Sequence, residues 1–306
     1  MSSLAAGGLQ LAGVALAPLL PGTIQVLKAR LQGRRGASAL QPYRVLRRLW
    51  GKSAVDPEGS GPIYRIAPAL AAACLLLAFA LVPVGGRSGD WALGNDALVV
   101  VGLFALARFA LAAAAWDTGN GFALMGAARD LVLAVYGEAL LALALLVAAL
   151  PAQSTDLVAI AGAASGTGIW GEPAHWCGAL AFTLVVLFET GRQPIDNPDT
   201  HLELTMIHEG PLLEYAGRDL AYLHWVAAAR HWLILTLAAG LFLPHPEGFA
   251  GGLAALAGGL VVSCGLLAVT ETAQAKLRIL RVPALLALGS LVALGGVASW
   301  IAGGGA

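Results

Sequence analysis

The sequence predicts an all-α, polytopic integral membrane protein, and three observations carry that expectation. Of 306 residues, 58% are hydrophobic and 12% charged, with a mean hydropathy of +0.77, whereas soluble domains hold about 25% charged residues. Eight apolar runs have the length of a helix crossing a hydrocarbon core of about 30 Å. The charges gather in patches between those runs. A formal net charge of zero gives no sign of a nucleic-acid partner or an acidic substrate. Residues 1–306 therefore read as one membrane domain with about eight transmembrane helices.

The predicted spans are about 4–27, 63–84, 95–116, 129–150, 174–190, 224–243, 249–270 and 282–303. No Lys or Arg precedes the first run, so it reads as a retained helix rather than a cleaved signal. Cys74, Cys177 and Cys264 are far apart in apolar runs, without CxxC spacing, and read as small buried hydrophobes. The stretch 153–172 is apolar but short and rich in Gly, Ser and Ala, so it reads as an outer-face helix or re-entrant piece.

Orientation follows from the positive-inside rule. The loop after span 1 holds Lys28, Arg30, Arg34, Arg35, Arg44, Arg47, Arg48 and Lys52. With that loop inside, Arg129, Arg192, Arg218, Lys276, Arg278 and Arg281 fall inside too, and only Arg87 lies in an outer loop. Both termini are then expected on the outer face of a prokaryotic cytoplasmic membrane.

Within residues 28–52, Tyr43, Leu46, Leu49 and Trp50 recur at helical spacing against Arg44, Arg47 and Arg48, the pattern of an interfacial amphipathic helix. It suits an anchor on anionic lipid; equally, it suits a docking surface for a cytoplasmic partner, with Arg30, Arg34, Arg35, Gln41, Tyr43 and Arg44 as contacts. Gly33 and Gly36 would let the backbone turn.

Between spans 5 and 6 the chain reads ETGRQPIDNPDTHLELTMIHEGPLLEYAGRD over 189–219, far more polar than its surroundings. Pro194 and Pro198 break the helix, while Thr200 with Glu203 signals a short amphipathic helix near 198–209. His201, Glu203, His208 and Glu209 have metal-ligand chemistry, but their spacing matches no tight ligand motif, and no metal site is expected. A solvated acidic face held by Arg192 and Arg218 is one reading of this loop; a proton-collecting or partner-binding surface is the other. Segments 28–62 and 191–223 would together make the docking surface for a peripheral arm, Glu214 included.

Ionisable groups inside a span are costly and mark function by default. Arg108 and Glu138 lie about 12–14 Å from the inner ends of their predicted helices, so a pair between them is open, as is a titratable carboxylate beside an arginine. Arg230 is shallower and suits snorkelling. Glu189 and Glu271 read as inner-end residues of spans 5 and 7, where Asp117 and Asp130 also sit. Glu138, Arg108, Glu189, Glu271 and Asp130 are the candidates for a proton path opening inward.

ETGRQPIDNPDTHLELTMIHE closely resembles the signature loop of the membrane subunit of group 4 nickel–iron hydrogenases, the formate hydrogenlyase type included. That family is homologous to the quinone-chamber subunit of respiratory complex I. KARLQGRRG after span 1, LQPYR following it, and the AARD and YGE stretches of span 4 agree, so the resemblance covers most of the chain. It implies an eight-helix anchor beside a hydrogenase or quinone-reductase module, passing redox energy to antiporter-like subunits. By position it implies that Glu189, Arg192, Asp196, Asn197, Pro198, His201, Glu203 and Glu209 face the peripheral arm, and that Glu138 is the span 4 glutamate of the proton route. Such subunits bind no cofactor; iron–sulfur clusters and a nickel–iron centre belong to partner subunits. Asp196-Asn197-Pro198 and Thr200-His201-Leu202-Glu203-Leu204 favour the hydrogenase branch over a quinone site. Gly191, where many relatives have Asn or Ala, and Gly210-Pro211 depart from the pattern and suggest a reshaped end of the loop. A quinone-binding subunit of a complex I-like dehydrogenase is the second expectation, and an independent secondary transporter the third.

Overall fold

The computed structural model describes residues 3–89, 91, 93–197, 206–244, 246 and 248–304. Over those residues the chain is all-helical, with isolated backbone bridges but no strands. The helices are α1 (Ser3–Leu16), α2 (Leu19–Leu31), α3 (Gln41–Trp50), α4 (Pro62–Leu81), α5 (Ala97–Thr118), α6 (Gly121–Ala149), α7 (Leu157–Ala164), α8 (Pro173–Glu189), α9 (Gly217–Phe242), α10 (Phe249–Ala273) and α11 (Val282–Ala302). Among the described residues, six helices are long and apolar enough to cross a membrane: α4, α5, α6, α9, α10, and α11 with the turn before it. The bent pair α1–α2 makes a seventh when taken as one span, and α8 is a shorter apolar helix of 17 residues.

The first predicted span is where the structure departs most from the hydropathy pattern. It is broken, with α1 and α2 inclined by 53° to each other. Pro18 lies at the break and Pro21 three residues on; proline gives no backbone N–H and its ring crowds the preceding turn, which kinks a helix. A run scored by apolarity alone does not register the break. The other large boundary shift is α6, which starts eight residues before the predicted 129. Gly119, at φ +67°, ends α5, and the Asn120 side chain caps α6 by accepting from the Phe122 N–H at 2.8 Å.

Residues 153–172 form the eight-residue α7 and a 3-10 turn at Thr167–Gly171, as the short apolar stretch predicts. At 1.5 Å per residue α7 is about 12 Å long, too short to cross. It is stapled to the start of α5 by Ala97 N–H to Thr155 O at 2.9 Å and Leu157 N–H to Asn95 O at 2.8 Å.

Arg192, just past the end of α8, meets Glu271 near the end of α10, and Gly210 meets Gly126 near the start of α6. α4 packs on α5, and α8 packs on α6, α9 and α11, around a core that includes Phe104, Leu140, Phe182 and Phe188. Leu98, Phe109, Val135, Val261, Leu266 and Leu291 are exposed on helix faces, the distribution expected where lipid is the solvent.

Two close approaches fix the region under the loop. A Cβ on Gly137 of α6 would collide with the Phe188 ring of α8. A Cβ on Gly126 would lie 2.6 Å from the Cα of Gly210, where the Gly210–Leu212 turn settles on α6. The Gly210-Pro211 departure is thus a buried seat for the end of the loop.

Gly137→Ala drives a methyl into Phe188 and is expected to destabilise by about 1–3 kcal/mol, as overpacking does. Gly102 of α5 has nothing within 4 Å of its Cβ position, so Gly102→Ala is expected to leave the melting temperature unchanged or raise it. Thermal melts of the two purified variants in one detergent check the contrast.

Candidate functional site

The centre of the site is the carboxylate of Glu189, the last residue of α8. Its side chain is fully buried, with the Arg108 guanidinium of α5 and that of Arg230 of α9 each at 2.8 Å from Oε2. Arg230 also donates to the Phe104 carbonyl at 2.8 Å, and Arg108 stacks on the Phe188 ring at 4.8 Å. Asp130 and Glu138 of α6 each approach Arg108 Nε at 3.9 Å.

These contacts revise two expectations. The Arg108–Glu138 pair exists at 3.9 Å, but Glu189 holds Arg108 more tightly. Arg230 does not snorkel: the residue is buried, and its head is tied to Glu189 and Phe104. Glu189 ends α8 as expected, yet it is buried. Its place at a helix end and its burial are reconciled by the polar segment folding back over that end.

A Schellman motif makes that fold-back possible. Gly191 sits in the left-handed region at φ +60°, its N–H bonds to Phe188 O at 3.0 Å, and Arg192 N–H bonds to Leu187 O at 3.0 Å. Glycine takes this conformation without a Cβ clash, which gives the Gly191 departure a physical reason. The turn throws Arg192 inward, where it donates to Glu271 of α10 at 2.7 Å; Lys28 of α2 lies 3.2 Å from the same carboxylate. Arg192 therefore does not support a solvated acidic face: it is buried, as Glu271 is. Lys28 reads from the sequence only as a loop charge. Its position within the last turn of α2 is the signal that it turns inward.

Asp196 closes the arrangement. Its Oδ1 accepts from Lys276 Nζ at 2.7 Å and from the Asn197 N–H at 2.8 Å, and its Oδ2 faces the His208 N–H and Nδ1, both at 3.3 Å. Burial alone would raise the Asp196 carboxyl; the bonds and charges of His208 and Lys276 outweigh it and hold the group well below the usual carboxylate range. Leu277 N–H to Pro194 O, at 2.8 Å, ties the loop to the α10–α11 connection. At the loop's far end Glu214 accepts from Asn120, and its carbonyl accepts from the Tyr64 hydroxyl at 2.8 Å. Tyr215 stacks on Tyr64 with ring centres 4.4 Å apart.

A cavity of about 390 Å³ lies beneath this loop. Pro18 and Pro21 at the α1–α2 break line it, as do Gln41, Pro42, Val45 and Leu46 of α3, and Arg192, Asp196, Asn197, His208 and Glu209 of the loop. His224 and His231 of α9 complete it. A smaller cavity of about 110 Å³ is lined by Arg108, Asp130, Glu189, His208 and Arg230. His231 is absent from the residues singled out in the sequence, although a histidine beside Arg230 in an apolar run is itself a signal.

The α3 helix has the amphipathic form expected for 42–51: Arg44, Arg47 and Arg48 stand on its outer side, and Tyr43 donates to Ala15 O at 2.6 Å. Gln41 faces the cavity, while Arg30, Arg34 and Arg35 stand in an exposed segment turned by Gly33 at φ +69°. Pro198, His201 and Glu203, with most of the helix expected near 198–209, lie outside the described residues. Met206–Glu209 are not helical. Among the described residues, no group of three or more His, Cys, Asp or Glu side chains is placed to hold a metal ion.

Comparison with known proteins follows the same lines. A family profile described as NADH dehydrogenase matches residues 7–299. Formate hydrogenlyase subunit 4 of Escherichia coli K12 is 32% identical over 87% of this chain and 88% of its own length. Hydrogenase-4 component C of the same organism is 36% identical over 81% of this chain and 78% of its own. A subunit of the NADH-quinone oxidoreductase of Cereibacter sphaeroides is 31% identical over 74% of each. In fold, a chain of the archaeal membrane-bound sulfane sulfur reductase complex superimposes with a TM-score of 0.82, covering 95% of this chain and 97% of that one at 21% identity.

Removing one partner of a buried ion pair leaves the other charge uncompensated, at about 3–5 kcal/mol. Glu189→Leu strands Arg108 and Arg230 together and is expected to lose that much, or to prevent accumulation of the protein. The exposed Arg65–Asp56 pair, at 3.0 Å, is the control: Arg65→Ala is expected to cost less than about 1 kcal/mol. Membrane yield and detergent melting temperature read both.

Proposed function

The chain belongs to the NADH dehydrogenase family, and within it we propose that this protein is the membrane anchor and energy-coupling subunit of a group 4 hydrogenase-like redox complex. The observation that carries this reading is the row of buried and half-buried ionisable groups. It runs from Asp196 and His208 under the loop, through Asp130, to Arg108, Glu138, Glu189 and Arg230 between the helices. Charges inside an apolar bundle are expensive, and where they are kept they mark ion or proton pathways.

In this reading the loop end faces the cytoplasm, and both termini lie on the outer face. The exposed arginines of 30–48 and the 191–223 segment receive the soluble arm, whose hydrogenase-like large and small subunits carry the iron–sulfur clusters and the nickel–iron centre. Antiporter-like membrane subunits take up the energy. Relatives in hydrogenase-4 and formate hydrogenlyase favour this partner set over others. The chain's own residues hold and move protons; the electron chemistry belongs to the arm. The intact complex, purified through this subunit, is expected to contain nickel. In vesicles, Glu138→Gln is expected to lower the protons moved per turnover severalfold while the arm's own redox activity persists; unchanged pumping overturns the reading.

One observation favours a second reading, a quinone-binding subunit of a complex I-like dehydrogenase. The 390 Å³ cavity is walled by α3 and the loop, with the apolar side chains of Pro18, Val45 and Leu46 beside the polar groups of Gln41 and His224. Such a mixed lining suits a small, largely apolar ligand. A photoreactive quinone analogue is expected to label α3 or residues 206–212 if this holds, with labelling suppressed by Val45→Trp. The hydrogenase reading requires no such label.

A further inference from the structure

Among the described residues, His208 is the only titratable one that borders both cavities. Its Nδ1 faces Asp196 Oδ2 at 3.3 Å on the side of the larger cavity, and its Nε2 faces Asp130 Oδ1 at 3.8 Å on the side of the smaller one. His208 Nε2 and Asp130 Oδ1 are both buried, and neither has a hydrogen-bond partner among the described residues. Leaving buried polar atoms unmade costs about 1–3 kcal/mol each, and these two are aimed at one another. The gap is too long for a hydrogen bond and too short for a bridging water.

The charges on either side are unequal. On the membrane side, Arg108 and Arg230 face three carboxylates, Asp130, Glu138 and Glu189. On the loop side, Lys28, Arg192 and Lys276 face two, Glu271 and Asp196. With Glu209, which also lines the larger cavity, counted on the loop side and all of these groups ionised, the membrane-side set carries one negative charge in excess and the loop-side set balances. His208 stands at the junction, and a proton passed inward through it moves toward the excess carboxylate.

The groups around the ring come from every neighbouring element. α6 supplies Asp130, with Arg108 of α5 behind it. α8 supplies Glu189 and the Phe188 ring, whose centre lies 5.6 Å from that of His208. The loop supplies Asp196, with Lys276 on its other oxygen, and Glu209, while His224 and His231 line the larger cavity from α9.

We propose that His208 is the proton carrier between the two cavities, passing protons between the loop-side cavity and Asp130 at the entrance to the buried cluster. His208 takes a proton from the larger cavity and becomes imidazolium, with Nδ1–H on Asp196 Oδ2 and Nε2–H toward Asp130 Oδ1. Nε2 then delivers its proton to Asp130 Oδ1, which becomes a neutral acid, and the ring is left as the Nδ1–H imidazole; a ring flip turns the free nitrogen to the larger cavity for the next proton, so one proton moves per cycle, no electrons do, and every step runs in both directions. Imidazole suits this work because its unperturbed titration lies near neutral pH. The role rests on the energy-coupling reading above and adds to it the identity of the group that joins loop to membrane interior.

The test uses the intact complex in proteoliposomes, measuring protons moved per turnover against pH. His208→Gln keeps a polar group of similar size but carries no proton, and transfer is expected to slow on the order of 100-fold. In His208→Ala, substituted imidazoles are expected to restore transfer with a pH profile that follows the titration of the imidazole added, which a structural histidine would not produce. Asp196→Asn removes the carboxylate that faces Nδ1, and the pH profile of transfer is expected to move from that of the wild type. Unchanged pumping in His208→Gln, with pumping lost in Glu138→Gln, overturns the carrier and leaves the energy-coupling reading standing. Pumping unchanged in both overturns both. Loss without imidazole rescue, together with an Asp196→Asn profile that does not move, makes His208 structural and also overturns the proposal. Should neither His208 variant assemble, the Asp196→Asn profile decides.

Discussion

The Glu189 carboxylate, held between the guanidinium groups of Arg108 and Arg230, is the contact on which the rest of this architecture depends. It joins α8 to α5 and α9 at the level where the polar loop begins. Two arginines in an apolar bundle need a counter-charge close by, because an unpaired buried charge is far more costly than a paired one. Glu189 satisfies both at once, and its position as the last residue of α8 means that the chain must reverse direct from the ion pair. The reversal requires a left-handed residue at once, and Gly191 supplies it.

From that turn the loop's path follows. Arg192 is carried in to Glu271, which also holds Lys28, so the loop is pinned to α10 and through it to α2 within a few residues of leaving α8. Asp196 then ties it to Lys276 and His208, and Gly210 seats its far end on Gly126. Each anchor is a charged or close-packed contact, and the break in the first span borders the space beneath them. The kink at Pro18 and the stapled loop together give the larger cavity its walls. Structure and site have a common origin: Asp196, which holds the loop down, also lines the space under it.

Much of this was legible in the sequence, and what was not has a physical reason. Apolar runs locate helices because lipid demands internally satisfied backbone over about 20 residues, and the amphipathic period of 42–51 gave α3 within a residue. Hydropathy averages over a window, so it passed across Pro18 without seeing the bend, and it placed the start of α6 at Arg129 although Gly119 and Asn120 spelled an earlier cap. The ionisable residues of the site were visible as exceptions in apolar surroundings. Their pairing was not, because sequence distance along separate helices says nothing about which side chains face each other. Arg108 and Glu138 matched in expected depth, yet the residue that won Arg108 was Glu189, brought inward by a fold-back that depth alone does not encode. Lys28 and Lys276 looked like loop charges because positive residues near helix ends usually serve topology; here they complete buried or half-buried pairs.

Stability alone gives no reason for this arrangement. Replacing a buried ionic network by well-packed apolar side chains is often neutral or stabilising, and the surrounding helices already supply Leu, Ala and Phe in abundance. A bundle selected only to hold together would have no need of three carboxylates around two arginines at its centre. Nor would it leave two buried polar atoms facing each other across 3.8 Å, between one cavity that opens beneath the loop and another that reaches the arginines. The proposed carrier role gives this pair its use: the charged pairs fix the geometry, and His208 and Asp130 are where a proton would change it.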